Sequence, residues 1–445
     1  MDLQEGSVKT LYFKYLSAAF GSALISSAYS LVDSIMIGQY EGPSGAAAMA
    51  AVAPIWNIIY SLGLLFGTGG SVLMSTARGA RDRTEGNRCF TAALIAMTGT
   101  TAVIWVVILL WEVAMLRLFG ADDFLIVKAQ AYLRWIRPAI PLFLFSQFLA
   151  AFLRNDGAPA RAAAAVLAGG IFNIVGDWYL VFGAGMGIEG AGLATALGQL
   201  ITILVLCGHF LSSRCTLRLA APQTLPDRLL LTVRAGFSSF FTDITMGILS
   251  VLFNNQIMRY SGSSALAVYG LIINISTFAQ SCAYGIGQAA QPLISVSFGA
   301  RRADRVTETL RLALIICGVF GVVETSLTLA FPIPLVRAFM DVTPEVLSIA
   351  PGIARTYFVS FLLLSFNVFA TYYFQSIMRS KAAFCVSVLR GSLLSGFLII
   401  ASPALFGQEA LWWAMPVTEL ATALLVTVLI RRYTARLPAG DGAAE

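Results

Sequence analysis

The feature that most constrains this chain is a succession of apolar runs, each about 20 residues long or longer. About 20 apolar residues are enough for a helix to cross the hydrocarbon core of a bilayer. Only 12% of the 445 residues are charged and the mean hydropathy is +0.80, whereas soluble domains carry about a quarter charged residues. The runs are also unlike the short alternating segments of membrane β-barrels. The sequence therefore predicts an all-α integral membrane protein.

Twelve membrane-spanning helices are predicted. They lie near residues 12–38, 46–76, 90–112, 132–153, 162–183, 188–211, 230–258, 265–297, 309–331, 347–377, 382–405 and 409–430. Lys and Arg concentrate in alternate loops, and cytoplasmic loops are enriched in these residues. Both termini are therefore expected in the cytoplasm, with the chain in a bacterial plasma (inner) membrane. The net charge of +6 reflects this topology and does not indicate nucleic-acid binding.

The second half of the chain repeats the first at an offset of about 220 residues. Matching pairs include Ser44/Ser264, Gly67/Gly287, Arg81/Arg301, Gly187/Gly407 and Glu189/Glu409. Because each half carries an even number of spans, both halves enter the membrane in the same direction, as in parallel-repeat transporters. We expect an N-lobe at 1–211, a cytoplasmic linker at 212–229 and a C-lobe at 230–445. Two pseudo-symmetric six-helix bundles of this kind are typical of an alternating-access transporter.

The same offset sets four polar residues of the first half against apolar residues of the second. The pairs are Asp33/Phe253, Asn173/Leu393, Asp177/Phe397 and Thr195/Met415. Since the second copy packs without these groups, packing alone does not require them. Asn173 and Asp177 are four residues apart and share one helix face. Clustered carboxylates can share a proton, and carboxylate, amide and hydroxyl oxygens also suit Na⁺. The four residues are thus a candidate cation-binding and coupling site; alternatively, both acids are neutral structural groups.

Weaker candidates for lining a substrate cavity are Tyr29, Asn57, Asp243, Gln256, Gln280 and Gln288. Asp243 lies two helical turns into its predicted span, where it can face a central cavity, and the amides suit hydrogen bonds between helices equally well. His209 is the only histidine, and the six cysteines include no C-x-x-C pair. No catalytic residues, cofactor or metal framework beyond the coupling ion is therefore expected.

Three stretches resemble the multidrug and toxic compound extrusion (MATE) family, in its bacterial type. The run beginning "LVDSIMIGQY" resembles the family's first two helices, and "LRNDGAPARAAAAVLAGGIFNIVGDWYLVFGAGMGIEGAGLATALGQL" resembles its fourth-to-sixth helix region. The run "YGLIINISTFAQSCAYGIGQAAQPLISVSFGARRADRV" is similar to its eighth-helix pattern. The resemblance covers nearly the whole chain and includes the order of the motifs.

The resemblance implies an all-helical exporter that exchanges organic cations or other amphipathic compounds for H⁺ or Na⁺. It also implies that Asp33, Asn173, Asp177 and Thr195 bind the coupling cation, because the family places an Asp, an Asn, an Asp and a Thr at these positions. Some members carry a seventh-helix Glu, where this chain has Met246, with Asp243 one turn earlier. A second ion site in the C-lobe is therefore not implied.

Other functions remain open from the sequence. A flippase for a lipid-linked or amphipathic substrate would share the spans and repeat, but we would expect a strongly basic cavity, and arginines inside the predicted spans are few. A transporter that takes up a vitamin-like metabolite, rather than exporting a compound, is a further alternative. A membrane enzyme would need a nucleophile–base pair or a metal cluster, and a single histidine with no clustered cysteines disfavours this alternative. The duplication into two lobes disfavours a channel. A monomer is expected, since the duplicated chain supplies both lobes.

Overall fold

A computed structural model describes residues 3, 5–221, 224–339 and 344–437, almost entirely as helix. In these described ranges, twelve helical segments are long and apolar enough to cross a membrane, which confirms the predicted number. Each coincides with a predicted span and is generally longer, because the helices continue into polar turns that a search for apolar runs excludes.

The first half of the chain forms six long helices. These are α1 (Val8–Glu41), α2 (Pro43–Gly79), α3 (Arg83–Leu118), α4 (Asp123–Asn155), α5 (Pro159–Asp177) and α6 (Gly187–Cys207). A π-helical segment, Trp178–Gly183, continues α5, and a 3₁₀ turn, Gly208–Leu211, continues α6.

The second half contains the other six spans and one short additional helix. Its helices are α7 (Leu225–Tyr260), α8 (Gly262–Gly299), α9 (Ala303–Ala330), α10 (Pro332–Phe339), α11 (Pro344–Phe358), α12 (Phe361–Ser376), α13 (Ser380–Val388), α14 (Leu394–Phe406) and α15 (Ala414–Thr434). The π-helical segment Leu389–Leu393 joins α13 to α14, and the 3₁₀ segment Gln408–Trp413 precedes α15. The sequence analysis did not predict α10, which has only 8 residues and is too short to appear as a span.

The backbone reproduces the predicted repeat at its turns. Three pairs of residues separated by the repeat offset have a positive φ: Gly42/Gly262 (69° and 79°), Arg81/Arg301 (63° and 56°) and Gly187/Gly407 (56° and 89°). Positive φ is uncommon for a residue other than glycine. The same unusual conformation at Arg81 and Arg301 therefore shows that both copies of "GAR" end their helices in the same way.

Local sequence signals account for the ends of several helices. The Asp82 and Asp122 carboxylates each accept a backbone N–H bond of 2.8 Å in the first turn of α3 and α4 respectively, which is the usual role of an N-cap residue. Pro43 and Pro159 open α2 and α5, where the absence of an N–H group costs no hydrogen bond.

The described chain forms two compact units. The first unit is mainly Ser17–Phe240, and the second is the chain from Phe241 onward together with the start of α1, up to Leu16. In the first unit, α2 packs extensively on α4, and α5 and α4 pack on α6; in the second, α8 and α9 pack on α12. The four candidate coupling residues all belong to the first unit.

Candidate functional site

The structure brings together three of the four predicted coupling residues through one amide. The Asn173 side chain, on α5, donates through Nδ2 to Thr195 Oγ1 on α6 at 3.1 Å. The same Nδ2 lies 3.5 Å from Asp177 Oδ1, one turn later on α5, which is the long end of the hydrogen-bond range. Asn173 thus holds a hydroxyl and a carboxylate on the same side of α5.

Tyr132, on α4, connects the fourth residue to this group. Its hydroxyl donates to Asp33 Oδ2 on α1 at 3.3 Å, and its side chain is buried. Tyr132 is also close enough to Thr195 and Asp177 to interact with both, and the charges of Asp33 and Asp177 interact with each other. The four predicted residues and Tyr132 therefore form one cluster, which we call the Asp33 site.

The Asp33 site is rich in buried oxygen atoms that have no partner. Asp33, Asn173 and Asp177 are 7%, 4% and 0% exposed. Each has one buried side-chain oxygen (Oδ1, Oδ1 and Oδ2 respectively) that accepts no hydrogen bond from the residues the structure describes. Buried polar atoms are normally paired, so this cluster has three acceptors with the capacity to bind a proton or a cation.

The two carboxylates also lack a cationic partner in the part of the chain that the structure describes. Within the described ranges, no Lys, Arg or His forms an ion pair with Asp33 or Asp177. The buried Glu112, by contrast, is held by Arg137 through two bonds of 2.5 and 2.7 Å. An ionised carboxylate in a low-dielectric interior requires a compensating positive charge. The Asp33 site can obtain that charge from H⁺ or from a small metal cation.

Glycines let the helices of the site approach closely. A Cβ atom on Gly198 of α6 would lie 2.7 Å from the Gly169 carbonyl oxygen and 3.2 Å from Asn173 Cβ, both on α5. Gly192, also on α6, is in equally close contact with the backbone of Tyr132. Small residues at such crossings allow membrane helices to pack backbone to backbone. This packing brings α5 near enough for Asn173 to reach Thr195.

The π-helical segment Trp178–Gly183 begins directly after Asp177. Such segments are rare and often occur at functional sites, because they locally shift the hydrogen-bond ladder of a helix. The fifth span is therefore regular up to its last site residue and irregular beyond it.

The weaker candidates are divided between the two units. Tyr29 is half-buried on α1, one turn before Asp33, and Asn57 is exposed on α2. In the second unit, Asp243 accepts a 2.7 Å bond from Tyr284, and Gln280 accepts a 3.2 Å bond from Arg390. Gln256 and Gln288 are half-buried. Tyr29 and Asn57 therefore belong to the first unit, and the other four candidates belong to the second.

The sequence analysis overlooked Tyr132 and Arg390. The repeat offers a signal for both, since its offset pairs Tyr132 with Gly352 and Arg390 with Gly170. Arg390 is 7% exposed and its Nε donates to Glu419 Oε1 at 2.7 Å. The second unit therefore contains a buried ion pair of its own.

Comparison with known proteins gives matches over nearly the whole chain. The MatE family model matches residues 18–179 and again residues 238–399, in the register of the repeat. Multidrug export protein MepA of Staphylococcus aureus is 24% identical over 417 residues, covering 92% of each chain. MepA of Staphylococcus saprophyticus is 24% identical over 419 residues, covering 93% of this chain and 92% of the relative.

A similar fold is found among solved structures. One is described as the outward-facing conformation of a multidrug resistance MATE family transporter of the MOP superfamily. It has a TM-score of 0.91 to this chain at 20% identity, with 98% of both chains covered. The chain therefore shares its fold with this transporter, although only 20% of the aligned residues are identical.

Proposed function

This chain belongs to the MatE family, and on that premise we propose that it exports amphipathic organic compounds in exchange for H⁺ or Na⁺. Membership in the family and a twelve-helix fold confirm the resemblance seen in the sequence. The MepA relatives are named as multidrug export proteins, which supports organic cations and other amphipathic drugs or toxic compounds as substrates.

One observation carries the proposal of ion coupling. Two buried carboxylates and one amide each have an unpaired oxygen atom in the same site, and no cationic side chain among the described residues pairs with the carboxylates. In this proposal Asp33 and Asp177 bind the coupling ion, while Asn173 and Thr195 complete its oxygen environment. Ionisable residues within membrane spans usually mark the path of an ion or proton.

We assign α1 the role of transmitting ion binding to the substrate. Neutralising Asp33 removes the electrostatic repulsion from Asp177 and changes the interaction of α1 with α4 through Tyr132. Since α1 contributes residues to both compact units, bending or rotation of this helix can change both. The cation then enters as substrate leaves in the opposite direction, as alternating access requires.

The free energy released by the coupling ion limits the substrate concentration gradient that the exchange can maintain. One proton moving down about 100 mV and one pH unit releases about 2.3 and 1.4 kcal/mol respectively. Moving one monovalent organic cation out against the same potential consumes about 2.3 kcal/mol, which leaves enough for about a tenfold concentration gradient. A neutral or zwitterionic substrate would be concentrated a few hundredfold.

Twelve spans make this a multi-pass membrane protein. From the distribution of Lys and Arg we propose a bacterial plasma-membrane location with both termini in the cytoplasm. We propose further that the working protein is a monomer, made of an N-lobe (1–211), a linker (212–229) and a C-lobe (230–445). This organisation supports a transporter rather than an enzyme.

The test is efflux of a fluorescent cationic dye from proteoliposomes under an imposed pH gradient or an imposed Na⁺ gradient. Protein-free liposomes measure the leak. We expect one gradient to drive efflux and the other to have no effect, which would identify the coupling ion. If neither gradient drives efflux of cationic or zwitterionic dyes, cation-coupled export is wrong.

A further inference from the structure

A cavity in the second unit has an apolar body and a polar end. Its apolar walls include Met246, Leu249, Phe253, Tyr269, Phe361 and Met415. Ser276, Gln280 and Arg390 line it as well. About 500 Å³ among these side chains is free of atoms, and part of that space is open to the surroundings.

Three acceptors at the polar end already hold a bond. Glu419 Oε1 accepts from Arg390 Nε at 2.7 Å, and Glu419 Oε2 accepts from Asn367 Nδ2 at 2.6 Å. Gln280 Oε1 accepts from Arg390 Nη2 at 3.2 Å. The two carboxylate oxygens and the amide oxygen therefore each hold a bond within the protein.

Donors at the same end remain available. Among the described residues, Gln280 Nε2 and Ser276 Oγ have no hydrogen-bond partner, although Gln280 is 4% exposed and Ser276 8% exposed. Arg390 uses Nε and Nη2, and a guanidinium carries five N–H groups in a planar fork. The polar end is thus rich in donors, whereas the Asp33 site is rich in acceptors.

Local backbone structure fixes Arg390 at this place. It lies within the π-helical segment Leu389–Leu393. A Cβ atom on its neighbour Gly391 would lie 2.5 Å from Thr245 Oγ1 on α7, so only glycine allows the two helices this separation. The close approach of α7 places Met246 and Leu249 on the cavity wall beside the arginine.

The repeat shows that packing does not require this arrangement. At the repeat offset, Arg390 corresponds to Gly170, and Glu419 corresponds to Gln199. The first copy of the fold therefore forms without an ion pair here. A buried ion pair adds little stability compared with well-packed apolar residues, so its presence beside a cavity favours a binding role.

We infer that this cavity is a second ligand site, which binds a flat apolar compound carrying a carboxylate. The aromatic and methionine walls would enclose the apolar body. The carboxylate oxygens would accept from Arg390, Gln280 and Ser276, since the planar guanidinium matches carboxylate geometry. The inference goes beyond the proposed export, because binding here requires no ion gradient.

The experiment is isothermal titration calorimetry on the full-length protein in nanodiscs, with empty nanodiscs as the blank. The probes are 2-naphthoate and (2-naphthyl)methylammonium, which share a ring system and differ in charge. The test variant is Arg390→Met/Glu419→Gln, which removes both charges together and leaves no unpaired ion. Asp123→Asn is the control, because it changes an exposed acid of the first unit (89% side-chain exposure).

We expect the wild type to bind 2-naphthoate, and the double variant to bind it about 10-fold to 100-fold more weakly, as for a lost hydrogen bond to a charged group. Asp123→Asn should leave this affinity unchanged. The affinity of the ammonium probe should not respond to the double variant.

A second variant tests the same inference if the double variant does not fold. Gln280→Met removes the Nε2 donor and also the Oε1 that accepts from Arg390 Nη2, but it leaves the Arg390–Glu419 pair in place. We expect it to weaken 2-naphthoate binding about fivefold. The inference is overturned if the wild type shows no heat of 2-naphthoate binding. It is also overturned if a folded Arg390→Met/Glu419→Gln protein, or failing that Gln280→Met, binds 2-naphthoate as tightly as the wild type.

Discussion

The Tyr132 hydroxyl on α4 donates to Asp33 Oδ2 on α1 at 3.3 Å. Because Tyr132 is also close to Asp177 and Thr195, this single phenol connects the acid on α1 to the residues of α5 and α6. The Asp33 site is therefore built from four helices, and the position of Asp33 depends on a residue outside the predicted set.

Tyr132→Phe should reduce gradient-driven efflux about fivefold without unfolding the protein. The change removes one hydrogen bond, worth about 1 kcal/mol, and keeps the buried ring. Initial efflux rates in proteoliposomes measure the effect. Tyr179→Phe is the matched control, since Tyr179 is 60% exposed and should give the wild-type rate. Equal rates for both variants would mean that Tyr132 only packs.

Gly169→Ala should destabilise the protein by about 1–3 kcal/mol, the usual cost of overpacking. The added methyl would lie 2.5 Å from the Gly198 carbonyl oxygen and would also overlap the Thr202 hydroxyl. Moving α5 away from α6 should also break the Asn173–Thr195 bond and slow driven efflux. Thermal unfolding in detergent and the efflux assay check the two effects.

Gly99→Ala is the control for this change. Gly99 is a helical glycine of α3 with nothing within 4 Å of an added Cβ. Alanine has the higher helix propensity, so this variant should be as stable as the wild type or slightly more so. A Gly169→Ala protein that unfolds at the same temperature as Gly99→Ala would contradict the proposed close packing of α5 and α6.

Breaking the ion pair of the second unit should cost more than removing it completely. Arg390→Met leaves Glu419 buried with a charge held only by Asn367, and we expect a loss of about 3–5 kcal/mol. Arg390→Met/Glu419→Gln should regain much of this stability. Thermal or denaturant unfolding of the single and double variants completes the cycle. If the stability change of the double variant equals the sum of the changes of the two single variants, the two side chains do not interact.

Asp156, at the end of α4, stabilises a cluster at one end of the first unit. Its carboxylate lies 2.5 Å from Arg78 Nη1 and 2.7 Å from His209 Nε2, and it accepts a 3.1 Å bond from the Thr216 backbone N–H. Cys215 is 4% exposed beside this cluster, and burial raises the pKa of its thiol. Cys215 should consequently react slowly with maleimides.

Asp156→Asn should expose Cys215. Loss of the buried charge weakens the bonds to Arg78 and His209 and lowers the free energy of local opening. In a chain whose other cysteines are replaced by alanine, we expect Cys215 to react with maleimide about tenfold faster in the variant. Asp123→Asn, which changes an exposed carboxylate (89% side-chain exposure), is the control. Equal labelling rates in both variants would contradict the stabilising role of Asp156.

The features that the sequence predicted well are those with a long or repeated pattern. Twelve spans follow from apolar runs, and the repeat follows from residue pairs such as Arg81/Arg301, whose backbones share a positive φ. The grouping of Asn173 with Asp177 follows from helical spacing alone. Each of these depends on local chemistry or on a fixed offset, so no knowledge of the packing was needed.

The features that were missed depend on contacts between distant segments. Tyr132 carries no local signal, because a tyrosine in a membrane span usually faces lipid; its role comes from the approach of α4 to α1. Arg390 was passed over within an otherwise apolar span, and only the positions of Glu419 and Gln280 show that it is paired. The π-helical segments that follow Asp177 and contain Arg390 have no recognised sequence signature.

The central claim is that the Asp33 site couples ion movement to substrate movement. The most direct test compares gradient-driven dye efflux with dye exchange in the absence of a gradient, in the same proteoliposomes. Asp243→Asn serves as the matched control, because Asp243 is a half-buried acid held by Tyr284 in the other unit.

For Asp33→Asn we expect driven efflux to fall to the rate seen without a gradient, while exchange continues and Asp243→Asn keeps a driven component. Asparagine preserves the shape of the side chain and removes the charge that the coupling ion must neutralise. If Asp33→Asn retains the wild-type ratio of driven efflux to exchange, the Asp33 carboxylate does not carry the coupling ion and the proposed mechanism is wrong.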